Sequence, residues 1–114
     1  MVPVPLHIRR LRERGFNQAL LLVRELNKRT GIPYHESVLK KIKDTPVQSA
    51  LKKRERGKNL KGVFEVKDEE AIKGKAIVLV DDVYTTGATV NECSRTLLRG
   101  GAERVAILTV ARAI

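Results

Sequence analysis

The stretch Ile77–Thr89, "IVLVDDVYTTGAT", decides how the rest of this chain is read. With Ala76 before it, it opens with a continuous apolar, largely β-branched run, Ala76–Val80, the composition of a strand buried on both faces. Two aspartates follow, Asp81 and Asp82, and then a turn rich in hydroxyls and glycine. Thr89–Arg99 has helical periodicity with Val90, Cys93 and Leu97 on one side. Gly100 and Gly101 end it, and Arg104–Val110, "RVAILTV", reads as a second buried strand. Strand, loop, helix, glycine turn and strand make a βαβ unit, so the two strands are expected to be parallel.

Working outward, Val2–Leu6, "VPVPL", is extended because each proline fixes its own φ and restrains the residue before it. An arginine-dense segment follows and is interrupted by Gly15. Asn17 is a suitable cap for a helix from Gln18 to Arg29, with Ala19, Leu22, Val23 and Leu26 on one face and Gly31 as its stop. Ser37–Ile42 and Val63–Val66 are short strand candidates. Between them, "DTPVQSALKKRERGKNLKG" (44–62) keeps neither period, apart from a short helical stretch near Ala50–Arg56. A span of that length without a clear element is expected to be either functional, as a loop ordered by ligand, or disordered.

The 114 residues suit one domain, 1–114, of α/β class with a mainly parallel sheet flanked by helices. Net charge is +10 (23 Lys and Arg against 13 Asp and Glu), which favours anionic partners without choosing between phosphorylated metabolites and nucleic acid. The single cysteine, Cys93, excludes an intrachain disulfide and leaves no cysteine-based zinc site within the chain. No apolar run is long enough to span a bilayer, and the start lacks the basic and apolar regions of a signal peptide, so the expected setting is the cytoplasm with no membrane insertion.

Ligands of open parallel sheets bind beyond the carboxyl ends of the strands. Asp81 and Asp82 stand at that end, and the helix starting near Thr89 aims its free N–H groups at the same crevice, an anion site. Thr85, Thr86 and Thr89 add hydroxyls, while Gly87 lets the backbone approach closely. Acids beside an anion site are consistent if the carboxylates accept from neighbouring sugar hydroxyls, or face a metal ion, while the amides hold a phosphate. The ligand this implies is a ribose 5-phosphate group. Against it stands the plainer reading in which Asp81 and Thr89 only cap a turn and a helix.

The string resembles the phosphoribosyl pyrophosphate (PRPP) signature of type I phosphoribosyltransferases. Together with "VPVPLHIRRLRERGFNQA" and "DTPVQSALKKRERGKNLKGVFEV" it is similar, in order and over nearly the whole chain, to the ComF family associated with competence for DNA uptake. The resemblance implies a phosphoribosyltransferase using PRPP with Mg²⁺, in which Asp81 and Asp82 act at the ribose and Thr85, Thr86, Gly87, Ala88 and Thr89 surround its 5-phosphate. It also implies that Arg14, Gly15, Asn17 and Gln18 lie on the pyrophosphate side, and that the segment holding Gln48, Arg56 and Asn59 closes over the ligand. It permits single-stranded DNA or DNA-uptake proteins as partners, and a homodimer. Two parts usual in such proteins find no match here: a preceding zinc-binding segment, and a smaller hood that binds the acceptor base.

Overall fold

A computed structural model describes residues 1–6, 11–13, 15–42, 62–84 and 87–112. The elements in order are β1 (Val2–Pro3), α1 (Gln18–Thr30), β2 (Leu39–Lys41), β3 (Phe64–Val66), a 3₁₀ turn at Glu69–Ala71, β4 (Ala76–Tyr84), α2 (Ala88–Arg99) and β5 (Arg104–Arg112). β1, β4 and β5 form a parallel sheet in that order, and β2 pairs with β3 in a separate antiparallel ribbon. The α/β class and the βαβ unit are as expected. The short helical stretch expected near Ala50–Arg56 lies outside the described residues.

The parallel register runs from Ala76 opposite Arg104 to Tyr84 opposite Arg112. β4 therefore continues four residues past Val80, through both aspartates. Polar residues do not end a strand when its neighbour continues to pair with it. β1 is shorter than expected: Val2 and Pro3 pair with Leu79 and Val80, and the Val4 amide donates to the Val80 carbonyl at 2.8 Å. Pro3 and Pro5 have no amide hydrogen to extend the ladder, and β1 sits at the sheet edge where that is tolerated.

The sheet has two unlike faces. On one, Ile77 and Leu79 meet Val2, the inward residues of α2 (Val90, Cys93, Leu97) and the β2–β3 ribbon through Leu39, Val63 and Phe64. The ribbon packs so close to the end of α2 that a Cβ on Gly100 would lie 2.9 Å from Val66 Cγ2. On the other face α1 packs against β4, and Ala19, Val23 and Val80 are buried. Leu22 and Leu26 are only half-buried.

α1 has both its ends closed. Asn17 Oδ1 accepts from the Ala19 amide at 3.0 Å, and the amide of Gly31, at φ 75° in the left-handed region, donates to the Asn27 carbonyl at 2.8 Å. The left-handed conformation explains the glycine.

One expectation is overturned. β5 is not a buried strand: Ile107, Leu108 and Val110 are 43%, 43% and 68% exposed. Among the described residues it is the outer strand of the sheet, and the two helices leave much of it uncovered. Its apolar composition is that of a central strand, and composition alone carries no information on how many neighbours a strand has.

Candidate functional site at the carboxyl end of the sheet

Because side chains alternate along a strand, Asp81 and Asp82 start from opposite faces of β4, yet their carboxyls meet in a shared hydrogen bond. Asp82 emerges on the α1 side, where it lines an open cavity of about 470 Å³ with Phe16, Gln18, Leu21, Leu22 and Val110. Asp81 emerges on the α2 side, close enough for its charge to act on the Cys93 thiol. Both are half-buried. The backbone joins them as well, since the Asp82 amide donates to Asp81 Oδ1 at 2.9 Å.

The electrostatics single out Asp81. Burial, and then a hydrogen bond shared with the neighbouring Asp82 carboxyl, push its pKa up from the ordinary carboxylate range to about 7. Two carboxyl groups at one strand end, one of them holding a proton near neutrality, are poised to accept either a cation or paired hydroxyl donors.

The start of α2 supplies the opposite polarity. Gly87, buried and at φ 81°, occupies the cap position with no side-chain hydrogen bond, and the first turn carries no acidic residue. The Asn91 amide is satisfied by the Gly87 carbonyl at 2.8 Å. The preceding amides of the turn are the ones a helix start offers to an anion. A non-glycine residue at Gly87 would be strained by the left-handed backbone.

Among the expected site residues, the structure brings Asp81, Asp82 and Gln18 to one end of the sheet, with Gly87, Ala88 and Thr89 opening α2 directly after β4. Gly15 has the left-handed backbone its type suggests, at φ 80° and exposed, after a turn in which its amide donates to the Leu11 carbonyl at 2.7 Å. Asn17 serves the fold itself. Besides capping α1, its Nδ2 donates to the Val4 carbonyl at 3.1 Å, tying the helix to the end of β1. Arg14, Gln48, Arg56, Asn59, Thr85 and Thr86 lie outside the described residues.

Phe16 and Val110 beside Asp82 were not foreseen. Phe16, 44% exposed, is a large aromatic next to a glycine, and that setting was the available signal. Val110 was hidden within an apolar run read as core.

Cys93 has no chemistry to offer. Burial first, then the nearby Asp81 and Glu92 charges, hold its thiol well above the ordinary value, with Lys41 acting weakly in the other direction. It stays protonated and inert. Among the described residues no group of three His, Cys, Asp or Glu side chains could hold a metal ion, and no helix is long and apolar enough to cross a membrane.

A parallel βαβ unit with two acids at the end of its first strand and an acid-free helix start following them defines the chain as an α/β domain. The model of the phosphoribosyl transferase domain matches residues 14–114, and the chain belongs to that family. It is 38% identical over 114 residues to competence protein F of Haemophilus influenzae, covering 99% of this chain and 50% of that protein. To DNA utilization protein YhgH of Escherichia coli it is 38% identical over 114 residues, covering 100% of this chain and 49% of that one. To competence protein ComFC of Bacillus subtilis it is 40% identical over 113 residues, covering 98% and 44%. The expected ComF-like resemblance is thus met, and the chain spans about half the length of these curated relatives.

Proposed function

We propose that this domain binds PRPP, or another ribose 5-phosphate compound, at the carboxyl end of β4. The observation that carries the reading is the succession, within one parallel βαβ unit, of two carboxyls near the end of β4 and an acid-free start of α2. In this reading Asp81 and Asp82 accept from the ribose hydroxyls, and the turn from Thr85 to Thr89 with the first amides of α2 receives the 5-phosphate. Gln18 and the Gly15 turn face the pyrophosphate side.

Mg²⁺ fits the donor set as a companion of the ligand. Hard oxygen donors suit it, and with no three-residue cluster among the described residues it would be held mainly by pyrophosphate oxygens, with the two aspartates as the nearest carboxylates. When bound it offsets phosphate charge. The protein's part in phosphoribosyl transfer is to hold C1 of the ribose open to a nucleophile and to stabilise the departing pyrophosphate by position and charge.

Calorimetric titration of PRPP with Mg²⁺ tests this. Saturable binding at or below about millimolar ligand is expected. Asp82→Asn should weaken it by about tenfold or more, because an anionic acceptor for a hydroxyl is replaced by a neutral one. No binding heat by the wild-type chain, or equal affinity in the variant, would remove the reading. Release of pyrophosphate on adding candidate acceptors separates a transferase from a binding domain.

The net charge of +10 and the relatives named for competence and DNA utilization favour a second reading, a module that engages single-stranded DNA or DNA-uptake proteins. DNA affinity that falls steeply with salt and ignores Asp82→Asn would support it. A cytoplasmic setting and a homodimer belong to the same group of proposals.

A further inference from the structure

A second cavity is lined by neither aspartate. It measures about 560 Å³ and opens between the end of β1, the start of α1 and the outer side of β2. Its lining is chiefly apolar, with Leu6, Leu11, Leu20 and Leu39, and it also includes Lys40, Lys41 and Lys67. Among the described residues the one acid lining it is Glu36, whose carboxylate is already engaged by Arg24 at 3.1 Å. Lys67 also meets Glu65 at 3.4 Å, outside the cavity lining. The Asn17 amide in the wall is committed to Val4 and Ala19, so it gives the site shape rather than a donor.

We propose that this cavity is a separate ligand site, taking a small organic anion with a flat or compact apolar body and one acidic group. A volume of this size fits a one- or two-ring molecule. Four leucines favour burial of its body, and the exposed Lys40 and Lys67 among its lining residues favour a negative charge at its edge. The alternative, in which the lysine stems merely cover the leucines, gives no such selection.

The test uses the whole chain and two probes of the same shape, 2-naphthoate and the neutral 2-naphthamide, followed by amide chemical shifts in NMR. Saturable shifts centred on Leu6, Leu11, Leu20 and Leu39 are expected, with naphthoate bound about fivefold or more tighter than naphthamide. In the Lys40→Gln, Lys67→Gln double variant the two probes should become nearly equal while naphthamide binding is unchanged. Both lysines are exposed, so the fold is expected to survive, and the amide spectrum of the variant checks it. Equal affinity of the two probes in the wild type, shifts centred instead on Phe16, Leu21 and Val110, or no saturation below about 5 mM would each overturn the proposal.

Discussion

At the scale of single residues, Asp81 carries the clearest consequence. Its pKa is raised from 3.8 to about 7, so between those values the folded chain holds a proton that the unfolded chain has released. Stability should therefore fall as pH rises across that window and level off above it. Asp81 is only half-buried, which limits the effect to the order of 1–2 kcal/mol. Asp81→Asn should flatten the slope, and chemical denaturation at about pH 5 and about pH 8 measures both. Ligand affinity should run the other way. A carboxylate accepts from hydroxyls better than a carboxylic acid does, so ribose 5-phosphate should bind more tightly as pH rises through about 7. The identity of the two acids as site candidates was legible from their place after an apolar run. Their departure on opposite faces was not, because that depends on β4 continuing to pair with β5.

At the scale of elements, Asn17 shows how a residue type can fit two readings. Its place in "RGFNQ" suits an anion-binding turn, and its place before Gln18 suits a helix cap. The structure commits both ends of its amide to the fold, one to the Ala19 amide and one to the Val4 carbonyl. Asn17→Ala should thus cost about 1–2 kcal/mol of stability, from the lost cap and a stranded carbonyl. PRPP affinity, extrapolated to the fully folded protein, should change less than in Asp82→Asn; thermal melts and titration of the same sample separate the two effects. α1, β4 and α2 were legible because local signals agree there: caps, helical spacing, an unbroken apolar run and terminal glycines. The pairing of β2 with β3 apart from the main sheet was not. Each is three residues long, and what joins them to the domain is packing against α2 and the sheet, which no local pattern records.

At the scale of the whole molecule, the unlike faces of the sheet explain why β5 misled. Ile107 and Val110 have the composition of a core and the position of a rim. The main core, by contrast, lies where the helical spacing pointed, on the side of Val90, Cys93 and Leu97. The anionic preference read from a charge of +10 is a property of the full surface, and it does not locate a crevice. Location came from the parallel topology, which gathers the strand ends and the start of α2 at one edge.

The way β2 and β3 meet has a practical outcome. Lys41 stands opposite Phe64, and the Ile42 amide donates to the Val63 carbonyl at 2.7 Å, so residues 42 and 63 face each other across the ribbon. Replacing residues 43–62 by an Asn-Gly hairpin turn should give a shortened protein that still melts cooperatively, since β2 and β3 already pair as a hairpin does. Such a version would lack Gln48, Arg56 and Asn59 while retaining both aspartates and α2. Comparing its PRPP affinity with that of the intact chain would assign to the excised span its own share of binding, and a version that fails to melt cooperatively would mean that the span is needed to build the domain.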